Sequence, residues 1–160
     1  MIETNSENLH NSRLAAEDAQ IYIRNAMKYG IDSISLTAML AGARMLDYIG
    51  LKYLYAGEIA GFWKQLTDKP SASDFRLLIG IETRAKYHSR TSDMLDAITE
   101  TKEIFQKAWL NEYTPFRLGF ALGKYDMEFQ FWLRFQRRLE NLSFREGEAM
   151  PSLESLLKSE

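Results

Sequence analysis

WLNEYTPFRLGFALGKYDMEFQFW, residues 109–132, joins the end of one long helical pattern to the start of another through a Thr114-Pro115 step. Thr114 has the side chain of a helix N-cap. Pro115 suits the first helical position, where its missing N–H is not needed and its fixed φ is already helical. The pair predicts that one helix ends near Tyr113 and that the next starts at Pro115 and runs through Leu142. On that helix Leu118, Leu122, Tyr125, Phe129, Trp132 and Leu139 recur at helical spacing, and Phe116, Phe120, Met127, Phe131 and Phe135 widen the band. An apolar band that broad exceeds what one neighbouring helix covers.

The three prolines, at positions 70, 115 and 151, fall where helical periodicity breaks and divide the chain into blocks. Residues 1–11 read as a polar leader. A first helix is expected from Ser12 through Leu14, Ile21, Ile23 and Met27 to Tyr29, with Gly30 placed to stop it. A second starts at an Asp32 or Ser33 cap and continues to about Asp68, carrying Leu36, Leu40, Ala43, Leu46, Ile49, Tyr53, Ala56, Ala60 and Trp63 at three-four spacing. Gly50, Gly57 and Gly61 share one face of it, which predicts close approach of a neighbouring helix or a large side chain. A third block runs from Ser73 or Asp74 to about Tyr113, with room for a break near Gly80; Ile81, Ala85, His88, Ser92, Leu95 and Thr99 lie on one side. The tail, 143–160, is polar, although Leu153, Leu156 and Leu157 after Pro151 allow one short docked helix. The pattern as a whole predicts an all-α protein, an antiparallel bundle of about four long helices with short connections over residues 12–142.

The 160 residues suffice for one domain and are too few for a barrel enzyme, which takes roughly 250. A net charge of -2 with interleaved acids and bases gives no footprint for nucleic acid. Arg44, Asp47, Lys52 and Glu58 interrupt the apolar run of the second block, which argues against a membrane partner. With no cysteine, neither a disulfide nor a thiolate ligand is possible, so redox chemistry says nothing of the compartment. The N-terminal stretch lacks the basic start and apolar run of a secretory signal.

Chemistry-bearing residues are sparse. Two histidines exclude a histidine-rich metal site. Glu7 and His10 match one half of a carboxylate di-metal motif that would have to occur twice, so neither metal nor cofactor is expected. His88, on an otherwise core-facing stripe with Ser92 one turn on and Glu82 nearby, is more simply a buried histidine hydrogen-bonded to a facing helix than a proton-transfer group. Arg44 and Asp47 are spaced to pair on one helix surface; with Glu82 and His88 they are the candidate polar core. No residue set reads as catalytic. The broad aromatic band of the last long helix leaves a homodimer open as a second reading, in which the chain is a free-standing interaction or scaffold protein held through residues such as Phe120 and Phe131.

The segments ARMLDYIGLKYLYAGEIAGFW, residues 43–63, and WLNEYTPFRLGFALGKYD, residues 109–126, resemble the all-helical region that follows the catalytic barrel in bacterial proteins of glycoside hydrolase family twenty, the β-N-acetylhexosaminidases. The similarity rests on Arg44, Asp47, Gly50 and Lys52, then on Trp109, Leu110, Glu112, Pro115 and Phe116. It implies a non-catalytic C-terminal accessory domain that packs against and supports an upstream catalytic barrel of the same polypeptide, the parent being periplasmic or secreted. It carries over no catalytic residue, because the family's adjacent Asp-Glu pair does not occur in this chain. Trp109, Tyr113, Phe116, Arg117, Phe120 and Phe131 then become candidates for contact with the barrel or with a glycan.

Overall fold

The computed structural model describes residues 6–30, 32–66, 71, 89–142 and 149–158. Among them lie five helices and no strand: α1 (Ser6–Met27), α2 (Ser33–Gln65), α3 (Arg90–Glu112), α4 (Leu118–Asn141) and the short α5 (Leu153–Lys158). The protein is an all-α bundle. Gly30, at φ 71°, takes the left-handed conformation that lets the chain leave α1, and Asp32 caps α2 by accepting the Ser35 N–H at 3.2 Å. Ser89 caps α3 in the same way, its hydroxyl accepting the Ser92 N–H at 3.1 Å.

Helices adjacent in sequence pack against one another, and side-chain pairs fix their directions. Arg13 and Gln20 of α1 meet Asp47 of α2. Along α2 and α3, Arg44 meets Glu100, Tyr55 meets Asp93 and Glu58 meets Arg90, so one helix descends as the other rises. Lys102 with Asp126 and Ser92 with Gln136 show the same for α3 and α4. Asp47 and Gly50 face α1, Tyr55 and Glu58 face α3, and Tyr48 and Lys52 face α4, so three neighbours fan round α2. Two cores result. The larger joins Tyr48, Leu51 and Ile59 to Met94, Ala97 and Ile98, to Trp132, Phe135 and Leu139, and to Leu156 of α5; the smaller joins Ile23 to Leu40 and Ala43, with Ile104 against it. Helix α5 is held by the Trp63 indole, which donates to the Pro151 carbonyl at 3.1 Å, and by Arg138, which donates to the Leu156 carbonyl at 2.8 Å.

The structure moves several boundaries and faces. Helix α1 begins at Ser6, well before Ser12, so the supposed leader is helical from that point. Gly50 explains how it docks: a Cβ there would lie 2.5 Å from Arg13 Cγ and 3.5 Å from the Leu9 carbonyl, so the missing methyl lets α1 lie close on α2. Gly61, on the same predicted stripe, has nothing within 4 Å of its Cβ position and serves no such approach. Helix α4 starts at Leu118 and not at Pro115, and the Thr114 carbonyl accepts the Trp109 indole N–H at 2.9 Å. Leu118 N–H turns to the Pro115 carbonyl at 3.1 Å, and Arg117 becomes the N-cap at φ 61°, a left-handed conformation uncommon outside glycine. On α1 the inward residues are Ala16, Gln20 and Ile23, leaving Leu14, Ile21 and Tyr29 exposed.

On α2 the buried path runs Leu40, Ala43, Asp47, Tyr48, Leu51 and Ile59, while Met39, Leu46, Ile49 and Tyr53 are exposed. By length and composition α2 is apolar enough to cross a membrane, with mean hydropathy 1.2 over an 18-residue window, but 44% of that window is buried in the bundle. Core packing accounts for much of its apolar character.

Candidate functional site

At the α3–α4 corner, Phe105, Trp109 and Tyr113 recur every four residues on one face of α3. Their rings touch in sequence, with centroids 5.9 and 5.3 Å apart, and Tyr125 of α4 joins at 5.7 Å from Phe105. Trp109 is half-buried, with its indole N–H engaged, whereas Tyr113 and Phe116 are exposed and the Arg117 guanidinium lies 5.2 Å from the Phe116 ring centre. Phe120, 79% exposed, continues this surface onto the first turn of α4. Phe131, also exposed, is three turns farther along and belongs to a different region. The six candidate contact residues therefore divide into a corner of five and one outlier.

The candidate polar core divides as well. Glu82 and His88 lie outside the described residues. Arg44 and Asp47 pair, but not as a solvated surface couple: Asp47 is 2% exposed. Its Oδ1 accepts from Arg13 Nε at 2.8 Å, and its Oδ2 accepts from an Arg44 terminal nitrogen at 2.5 Å and from Gln20 at 3.4 Å. Arg13 also reaches Glu17 at 2.6 Å, Arg44 reaches Glu100 at 2.9 Å, and Arg24 reaches the same glutamate at 3.1 Å. Three arginines thus face three carboxylates. Asp47 has donors on both oxygens and little access to solvent, an arrangement suited to joining α1, α2 and α3 and poorly suited to proton transfer. Arg44 Nε is buried without a hydrogen-bond partner among the described residues.

A third region follows from the gap between α2 and α4, which are both packed on α3. Glu128 of α4 bridges this seam: the Tyr48 hydroxyl donates to its Oε2, and the Lys52 ammonium donates to its Oε1 at 3.0 Å. On either side of the bridge is a cavity. One, of about 350 Å³, lies among Ile59, Trp132, Phe135, Leu153 and Leu157; the other, of about 330 Å³, lies among Met45, Ile49, Phe105, Lys124 and Tyr125. Lys52 and Glu128 line both. Desolvation governs this pair: burial lowers the Lys52 pKa below its ordinary 10.5 and raises that of Glu128 above its ordinary 4.5, despite their proximity. The Lys52 ammonium also lies 5.5 and 5.8 Å from the ring centres of Tyr48 and Tyr53.

Sequence reading did not single out this seam. Its signal was Glu128 itself, a charged residue set between Tyr125, Phe129 and Trp132 on the apolar stripe of α4, matched by Tyr48 and Lys52 one turn apart on α2. Asp126 points elsewhere, to Lys102, so the two acids of that segment do not act together. Among the described residues no group of three or more His, Cys, Asp or Glu side chains is placed to hold a metal ion. Comparison with known proteins finds no matching family model, no similar curated protein and no similar solved structure.

Proposed function

We propose that this chain is a non-catalytic helical accessory domain of a carbohydrate-active, β-N-acetylhexosaminidase-like glycoside hydrolase, where it packs against and supports a catalytic barrel upstream in the same polypeptide. The observation that carries the reading is the corner of Tyr113, Phe116, Arg117 and Phe120, a run of side chains exposed together where α3 turns into α4. Large apolar side chains exposed close together in this way usually have a partner. Trp109 braces the corner from beneath through the Thr114 carbonyl, so the turn presents its aromatics from a fixed backbone. The resemblance of residues 43–63 and 109–126 to the helical region of that enzyme family supplies the identity of the partner. In this role the Asp47 cluster, which ties three helices together, is scaffolding.

An immunoblot of the source cells with an antibody against this chain tests the reading: a band far above 18.6 kDa is expected, and a band at that mass overturns it. A second reading, a dimeric interaction protein, is favoured by the exposure of Phe120 and Phe131 on one helix. It predicts a concentration-dependent dimer in sedimentation equilibrium that Phe120→Asp or Phe131→Asp dissociates.

A further inference from the structure

We propose that the side of the bundle where α2 meets α4 is a docking face for a membrane surface rich in anionic lipid, on which the chain lies without spanning the bilayer. This inference does not rest on the accessory-domain reading.

The apolar part of the face comes from three helices. On α2, Leu46, Ile49 and Tyr53 are 64%, 41% and 52% exposed, and their spacing of three and four residues puts them on one side of the helix. On α4, Met127 and Phe131 are likewise exposed and one turn apart. Ile49 lines one cavity of the seam together with Lys124, and Tyr53 lines the other together with Phe131 and Leu157. The exposed side chains of α2, α4 and α5 therefore open on the same side of the molecule. The charges that keep α2 from spanning a bilayer are turned away from it: Asp47 faces α1, and Arg44 and Glu58 pair with Glu100 and Arg90 of α3. Lys52 and Glu128 neutralise each other between the helices.

The remaining charges decide what covers this face. Lys124 and Arg134 of α4 are exposed, stand three residues to either side of Met127 and Phe131, and pair with no acid among the described residues. Lys64, three turns beyond Tyr53 on the same side of α2, is also exposed and without an acid partner among the described residues. The other acids of α4 point elsewhere: Asp126 pairs with Lys102 of α3, and Glu140, six positions past Arg134, lies on another side of the helix. The apolar face thus has a cationic rim, although the whole chain carries a net charge of -2. Its acids are elsewhere on the surface. Asp96, Glu100 and Glu103 are exposed along one side of α3 with Lys107 among them, and no large apolar side chain of α3 is exposed before Leu110. On α1 the exposed Leu14, Ile21 and Tyr22 stand beside Glu17 and Asp18, so that apolar surface has the opposite charge. Apolar side chains that enter the acyl boundary while lysine and arginine reach the headgroups are what holds a helix in a membrane interface, and each such cation strengthens binding to an anionic leaflet by about fivefold. A second copy docked by the same face would bring these cations against one another. A plane of anionic headgroups meets all of them at once.

The test is co-sedimentation of the full chain with phosphatidylglycerol vesicles and with phosphatidylcholine vesicles. Binding to phosphatidylglycerol is expected, at least about tenfold tighter than to phosphatidylcholine and falling as salt is raised. Lys124→Gln combined with Arg134→Gln should weaken it by about tenfold or more. Met127→Asp should do the same, whereas Tyr22→Asp, at an equally exposed position on α1, should leave binding unchanged. All four side chains are exposed, so circular dichroism should stay as in the unmodified chain. The proposal is overturned if phosphatidylglycerol vesicles do not bind the chain, if both lipids bind it equally, or if Tyr22→Asp weakens binding as much as Met127→Asp. A dimer that Met127→Asp dissociates in the absence of vesicles also overturns it, and gives the face to a second copy.

Discussion

Asp47 and Lys52 stand on the same helix a little over one turn apart, and their surroundings differ in a way that explains both ends of the molecule. Asp47 faces α1 and is closed off by Arg13, Gln20 and Arg44, which supply donors to both its oxygens. Lys52 faces α4 and meets Glu128 across a gap with cavities on either side. Where several neighbours satisfy a buried charge, the helices close over it. Where one partner spans the gap, the seam stays open and can admit something else. The close side is helped by Gly50, which has no counterpart across the α2–α4 seam.

The strongest way to break the contrast is Asp47→Ala. It leaves Arg13 and Arg44 half-buried and facing one another without their shared carboxylate, and should destabilise the fold by about 3–5 kcal/mol, read as a lower urea midpoint. Gly50→Ala should lose about 1–3 kcal/mol, since the new methyl meets Arg13 at Cγ, near the base of a side chain whose far end is fixed on Asp47. Gly42→Ala is its control: with nothing within 4 Å it should be stabilising by up to about 1 kcal/mol through helix propensity alone. If the two substitutions have equal effects, close packing at Gly50 is not what draws α1 onto α2.

On the open side the effects are smaller. Glu128→Gln keeps an acceptor for Tyr48 and removes the charge opposite Lys52; with both side chains partly exposed, the change should lie within about 1 kcal/mol. The protonation of the pair offers the finest test. A carboxyl-carbon NMR titration should place the Glu128 midpoint above 4.5, because burial disfavours its charged form. Between its unfolded and folded pKa values the folded chain binds more protons, so the stability contributed by Glu128 falls as pH rises through that window. Lys52 behaves in the opposite sense: its folded pKa lies below 10.5, the unfolded chain binds more protons in that window, and its contribution rises with pH up to about 10.5. A Glu128 midpoint at or below 4.5 would mean that attraction to Lys52 outweighs burial and that the seam is wetter than its lining suggests.

Part of this was legible in the residues. Leu118, Trp132 and Leu139 announced the inner face of α4, and all three are buried. The inner face of α2 was read correctly through Leu36, Leu40 and Ala43 and then lost, because the next position on that face is Asp47. A reading by hydrophobicity steps from Ala43 to Leu46, which is 64% exposed, although Asp47 was named beside Arg44 as a candidate for the polar core and is buried. What the sequence did not supply was its other arginine, Arg13, which lies 34 residues away on another helix. The start of α4 was also misplaced: Thr114 and Pro115 have the right local chemistry, but the Leu118 N–H bonds the Pro115 carbonyl and the helix begins after an Arg117 cap.

The sequence by itself determined the helical character of the chain, where the long helices stop and their antiparallel order, because periodicity, caps and glycine stops act over a few residues. Tertiary structure alone decided which charges go inside and where the bundle stays open. Whether a carboxylate or an ammonium can be buried depends on donors and acceptors brought from other helices, and that sum is made only when the helices meet.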